Sequence, residues 1–557
     1  MEARSNIAVK FLPSMADMAF LMPIVYLFGR MEGVKALLRD CDTGWHIRTG
    51  EWIIANGLVP IRDMFSYSKP GAPWFAWEWL SDVVFAKLNG MGGLQAVVLF
   101  SLVLLSITFT ALYMLVRRQS NAIVAVVITM LAATTSSVHW LARPHLFTLF
   151  FLVLFYAALE QVQGGRRRLA GVPILALLPL VTILWTNLHG GFFVGFLMVL
   201  AYGGGEILRL AFSPDAGERG PAWRKARNYF LSGLACLAAS VVNPYTYHLH
   251  IHMAKYLFDP WNATHINEFL SMSFHHPTAI FFEAMLVMAV ATTVWSLRQG
   301  RYTEALLMFV WAHGALLAGR NIPIFAIVAA PPIAAAMQQG LLRLPHLNVA
   351  GWLRAASERF NRLAEETGET DAIWRLHVVS VLGVLLVAAL LYAPNPPKVF
   401  RAEFDPKEYP AGALATLRSD PSGRIFTHDE WGDYLIWRLY PAQKVFVDGR
   451  SDFYGDDFDS KYIDVLNVKP GWEKTLGGFG VDTILMPPDA PLTGVLKESS
   501  RWRLVYDDGI ALVFRSATRT VGMQVSAAKS GGGEGRDREV TKTLTSDPAI
   551  TETKPKT

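Results

Sequence analysis

The feature that most constrains this chain is a run without a single ionisable side chain, Ala96–Val116, AVVLFSLVLLSITFTALYMLV. At about 1.5 Å of rise per residue, a helix of this length crosses the roughly 30 Å hydrocarbon core of a bilayer. The run is one of many. Similar apolar stretches alternate with connections in which the charges collect, and only 17% of the 557 residues are charged. Soluble domains carry about 25%, so the depletion argues for membrane burial rather than a soluble core. The alternation predicts a mainly α, polytopic bundle of about eleven transmembrane helices. The spans fall at approximately 11–28, 96–116, 122–137, 146–159, 172–186, 191–208, 230–242, 279–297, 304–318, 322–337 and 376–392.

Sidedness follows from the basic residues. The N-terminus and alternate connections hold nineteen Lys and Arg, in Arg117–Arg118, Arg166–Arg168, 209–229, Arg298/Arg301 and 338–375. The opposite short connections hold three, Arg143, Lys255 and Arg320. Basic residues stay on the cytoplasmic side, so the N-terminus is expected inside and, after an odd number of spans, the C-terminal part outside, in a cell inner membrane. The same bias accounts for the net charge of +5 without a nucleic-acid partner. Two cysteines, Cys41 and Cys236, predict neither a disulfide framework nor a thiolate metal site. Phe11–Phe28 reads as an uncleaved first span rather than a signal peptide.

Two long hydrophilic segments then share the outer side. One is the first loop, 29–95, with two aromatic-rich amphipathic helices expected beside the membrane, the first carrying Trp45, Ile47, Trp52 and Ile53 on one face and the second at about 75–88. The other opens with the Pro-rich APNPPK and alternates strand and helix signals, which predicts a small extracytoplasmic α/β domain. The expected division is therefore a membrane module at 1–392, an α/β domain at 393–516 and a disordered tail at 517–557.

Polar groups at membrane depth are costly and mark function or pairing. Here they cluster at the outer ends of the spans: Asp40 and Asp42 before Trp45-His46, His139 with Arg143-Pro144-His145, and Asn187-Leu188-His189-Gly190-Gly191. Asn243-Pro244-Tyr245, the His248/His250/His252 row, Glu268 and Arg320-Asn321 follow. One shared site at the outer surface is the economical reading. Each residue also has a plainer one. Asp42 at a helix start is a natural N-cap, Arg143 and Arg320 can snorkel to headgroups, and His189 can bond across helices. Two aspartates one residue apart can ligate a divalent cation, or one can act as a base. An arginine in a tight outer turn can bind a lipid phosphate through two N–H groups. Three histidines spaced by two spread around a helix, which argues against a metal site there.

With these residues in view, the layout resembles the GT-C glycosyltransferases, membrane enzymes that take sugars from polyprenyl-phosphate carriers. In that family the first outer loop carries a catalytic acidic residue followed by two juxtamembrane helices. The stretch D-T-G-W-H-x-x-x-G-x-x-I from Asp42 to Ile53, and the R-P-H, N-L-H-G-G and R-N stretches, are similar to a bacterial branch of it. Trp431-Gly432-Asp433-Tyr434 is similar to the W-W-D-Y-G acceptor motif of oligosaccharyltransferases, without its second Trp and final Gly, and Val447-Asp448-Gly449-Arg450 follows on the next strand. The resemblance implies sugar transfer from a polyprenyl-phosphate or -diphosphate donor in membrane lipid to a protein, lipid or glycan acceptor. It implies Asp42 and Asp40 as catalytic residues, with a divalent metal (Mg2+ or Mn2+) shared between them if one is used. Arg143, Arg320, His145 and His189 would hold the donor phosphate, and Trp431, Asp433, Tyr434 and Glu268 the acceptor. A polysaccharide polymerase or ligase would place its large outer loop late in the bundle. A non-catalytic lipid or polysaccharide transport or assembly protein would leave the Asp-bearing loop without a task.

Overall fold

The computed structural model describes residues 10–212 and 216–517, so the expected tail lies outside the described residues apart from Ala517. Helices stand at each of the eleven expected places: Met15–Arg30, Trp79–Arg117, Ala122–Ser136, His145–Gln163, Ile174–Leu188, Phe193–Phe212, Ala216–Ala239, Ala279–Arg298, Tyr302–Leu317, Ile322–Arg343 and Val378–Leu391. Six helical segments of this set are long and apolar enough to cross a membrane by themselves, and three more are shorter apolar helices. The protein is a multi-pass membrane protein. Boundaries shift where local chemistry overrides hydropathy. The first helix begins at Met15 rather than at residue 11, because Ser14 caps it, and the Asp17 carboxylate accepts the Ser14 N–H in return at 2.8 Å. Asp17 also accepts the Ser380 hydroxyl at 2.5 Å, which ties the first span to the last.

In the first long loop, one expected helix is Asp42–Asn56. The other does not stop before the second span. It runs on as the 39-residue helix Trp79–Arg117, broken only at Gly92 and Gly93, where Gly93 takes a φ of +67° that a side chain would resist. Nor does the helix Asp42–Asn56 lie open at the interface. A methyl group on Gly50 would sit 1.9 Å from the Asp82 carbonyl oxygen, and one on Gly44 would sit 2.7 Å from the Trp437 side chain. Two glycines on one helix thus let it pack tightly on both sides, against Trp79–Arg117 and against the C-terminal helix Asp429–Leu439.

The C-terminal residues form a four-stranded sheet in the order Ile425–Phe426, Thr483–Met486, Leu512–Ser516, Trp502–Asp507. The first pair is parallel and the other two are antiparallel. Helices Asp429–Leu439, Asp456–Leu466 and Pro491–Glu498 alternate with the strands, as the α/β expectation requires. The apolar Val445–Val447 stretch is not a strand of this sheet. Val445 makes single parallel bridges to Ile425 and to Ser66 of the first loop. Its N–H donates to the Phe65 carbonyl at 3.0 Å, and its own carbonyl accepts from Tyr67 at 2.9 Å. The first loop therefore continues the sheet edge and locks the C-terminal region onto the bundle.

Candidate active site

The turn between Ala122–Ser136 and His145–Gln163 is pinned under the first loop. The Ala142 N–H donates to the Leu37 carbonyl at 2.8 Å, and the Thr43 hydroxyl donates to the Ala142 carbonyl at 2.9 Å. This holds Arg143 beneath the start of the helix Asp42–Asn56. Its Nη1 donates to Asp40 Oδ2 and to Glu268 Oε1, both at 2.7 Å, and its Nη2 meets Asp42 Oδ2 at 2.6 Å. Residues from three separate connections thus meet at one guanidinium. Asp42 does not cap its helix through its own side chain. It is the first helical residue, and the Asp40 carboxylate accepts its backbone N–H at 2.8 Å.

The other oxygen of Asp42 faces the C-terminal region. Asp42 and Asp433 are hydrogen-bonded to each other, and the Gly449 N–H donates to Asp433 Oδ1 at 3.0 Å. Two carboxylates in contact cannot both be ionised cheaply. Burial, opposed by Arg143 and reinforced by Asp40 and Glu268, pushes Asp42 up to about 8. Burial and the neighbouring Asp42 and Asp448 raise Asp433 as well. Glu268 goes the other way: burial would raise it, but Arg143 and nearby cationic groups hold it below the usual carboxylate range.

These groups open onto a cavity of about 510 Å³ at the end of the bundle, within the range of small-molecule sites. Of the residues singled out in the sequence, Asp42, Arg143, His145, His189, Glu268 and Arg320 line it. Arg320 lies 4.6 Å from the Phe269 ring centroid, and its Nη1 has no hydrogen-bond partner among the described residues. The His145 Nε2–H donates to the His139 carbonyl at 2.9 Å, which leaves Nδ1 without a partner among the described residues. His189 Nδ1 accepts the Gly191 N–H at 2.9 Å, which places the ring proton on Nε2, 3.2 Å from Glu78 Oε1.

Asp40 sits behind the cavity, oriented on Arg143. Of the W-G-D-Y stretch, only Asp433 reaches this site. Trp431 is buried, donating to the Glu408 carbonyl at 2.9 Å, and Tyr434 stacks on Tyr409 inside the C-terminal region. The histidine row spreads around the helix His248–Phe258, with His250 on Ser240 and His252 on Asp452. A divalent metal does not fit Asp40 and Asp42 as they stand. The Arg143 guanidinium already lies between these carboxylates and takes the oxygens a cation would need, and no group of three or more candidate His, Cys, Asp or Glu ligands occurs among the described residues.

Sequence reasoning missed Glu78, a cavity carboxyl between His189 and His46; His46 in turn bonds Asp82 at 2.6 Å. Burial pushes Glu78 up to about 8 despite Arg143 nearby. The one signal was a lone acid amid the aromatics of Trp77-Glu78-Trp79. Arg450 was named only within Val447–Arg450, without a role. It donates to Asp448 and to Asp63 of the first loop, and lies over the Phe65, Trp74 and Phe453 rings.

No protein-family model matches the sequence, and no curated protein matches it either. Solved structures do. The archaeal oligosaccharyltransferase AglB from Archaeoglobus fulgidus, in complex with an inhibitory peptide and a dolichol-phosphate, is similar over 90% of this chain and 74% of its own, with TM-score 0.52 at 13% identity. ArnT from Cupriavidus metallidurans, in the apo state, is similar over 90% of this chain and 96% of its own, with TM-score 0.50 at 14% identity. The chain has a GT-C fold. Within that fold the first long loop, the turns at the same end of the bundle and the C-terminal region meet around the cavity.

Proposed function

We propose that this protein is a membrane glycosyltransferase that moves a sugar from a polyprenyl-phosphate-linked donor to an acceptor on the outer face of a cell inner membrane. One observation carries the reading. A cavity at the bundle end holds a buried carboxyl, Asp42, across from Arg320, a guanidinium with a free N–H. The GT-C fold and the dolichol-phosphate bound to the AglB neighbour support the same donor chemistry.

The chemistry is a displacement at the anomeric carbon. The acceptor nucleophile attacks that carbon, and its proton passes to Asp42, whose raised basicity suits removal of a proton near neutral pH. The bond from the anomeric carbon to the phosphate oxygen breaks with its electron pair on the phosphate. Arg320, fixed over Phe269, meets the charge that develops there, in a site where low dielectric makes such compensation effective. Arg143 orients Asp42 through its ion pair, and Glu268 and Asp40 hold Arg143. Asp433 and the Gly449 loop wall the acceptor side.

The test is transfer of labelled sugar from polyprenyl-linked donors in membranes, comparing the native chain with Asp42→Asn at matched expression. Loss of transfer in the variant is expected. Equal transfer in both would remove Asp42 from the mechanism. No transfer by either, across a broad donor panel, would favour lipid movement over chemistry.

A further inference from the structure

Building on the proposed reaction, we infer that the donor is a polyprenyl monophosphate sugar and not a diphosphate one. The charges around the cavity lead there. Its three arginines are not equally available. Arg143 is shared among Asp40, Asp42 and Glu268. Arg450 is fully buried, with Nε and Nη2 on Asp448 and Nη2 also on Asp63. Arg320 and Arg450 each keep an Nη1 without a hydrogen-bond partner, but only Arg320 has no carboxylate within ion-pair distance among the described residues. Among the described residues no lysine lines the cavity, whereas Asp452 adds a further acid, against His252 at 2.9 Å.

A sugar phosphodiester brings one negative charge and leaves with one more. A sugar diphosphate brings two and leaves with three. An uncompensated charge in a buried site costs several kcal/mol. One free guanidinium, which can hold two phosphate oxygens at once, balances the monophosphate. The second phosphate of a diphosphate would have to face the ionised Glu268, or else bring a divalent cation of its own. The position between Asp40 and Asp42 where such a cation would bind is taken by Arg143.

The experiment measures binding of one long-chain polyprenol, presented as its monophosphate and as its diphosphate, to the purified full chain in detergent. Tryptophan fluorescence is the readout, with and without EDTA, and inorganic phosphate serves as competitor. The expected result is monophosphate binding at least about tenfold tighter, or roughly 1.4 kcal/mol, unchanged by EDTA and not displaced by equimolar inorganic phosphate. Arg320→Gln, shown to be folded by its melting curve, should erase the preference, and Arg320→Lys should restore part of it. Equal or tighter diphosphate binding, or diphosphate binding that appears only with Mn2+, would overturn the inference, as would binding of neither lipid. Displacement by inorganic phosphate would also overturn it, assigning Arg320 to a free anion. A parallel transfer assay separates the two readings. Transfer from diphosphate donors alone overturns this inference and leaves the reaction standing. Selective monophosphate binding without transfer from any donor supports the inference and defeats the reaction.

Discussion

Gly449→Ala isolates the contact between the first long loop and the C-terminal region. A methyl group built there lies 2.7 Å from Asp42 Oδ1 and 2.7 Å from Asp433 Oδ2. Ordinary contacts begin near 3.4 Å, so each carboxylate must withdraw by about 0.7 Å. Both obstacles are side-chain ends, which can rotate without breaking the fold. A misplacement of about 1 Å in a catalytic group can cost on the order of 10²-fold in rate. The expected loss is therefore between about tenfold and 100-fold, or about 1.4–2.7 kcal/mol in the barrier. The assay is single-turnover sugar transfer at saturating donor, with a melting curve on the same sample. Gly432→Ala is the control, because its methyl would sit 1.9 Å from the Val447 carbonyl oxygen, a backbone atom that cannot step aside. That variant should lose folded protein, not only rate. A Gly449→Ala chain that turns over at the native rate would refute the idea that Asp42 works in contact with Asp433.

Two further outcomes follow from the ionised groups. Asp63→Ala removes one partner of the buried Arg450 and acceptors for Phe65, Ser66 and the Ser66 hydroxyl, and should cost about 3–5 kcal/mol. Earlier proteolytic release of the C-terminal region, at lower denaturant, is the readout. Glu78 is raised from 4.5 to about 8 in the fold, so the folded state keeps a proton that the unfolded chain gives up. Its contribution to stability is full below about pH 4.5 and is lost as pH rises toward about 8. Glu78→Gln should flatten the fall in melting temperature across that window, and an unchanged slope would assign it to other groups.

The sequence by itself determined the bundle, because crossing a bilayer imposes a one-dimensional rule on each segment. Every backbone polar group must be satisfied within its own helix, and the side chains must be apolar over its length. Helices stand at all eleven expected places, nine of them apolar helices that this rule accounts for, although Ser14 and the Gly92-Gly93 break moved helix ends. The clustering of Asp42, Arg143, His145, His189, Glu268 and Arg320 was legible for a related reason: polar groups survive at span ends only where they meet one another. What the sequence did not carry was pairing across long separations. Asp40 and Asp42 look like two free ligands until Arg143 is seen between them, and Trp431-Gly432-Asp433-Tyr434 looks like one motif until its side chains part. A helix sends successive side chains about 100° apart, so a short motif cannot aim all its members at one site. Only the tertiary packing, set by the close approaches at Gly44 and Gly50 and by the Val445 bridges, decided that Asp433 would meet Asp42 while Trp431 and Tyr434 turned into the core.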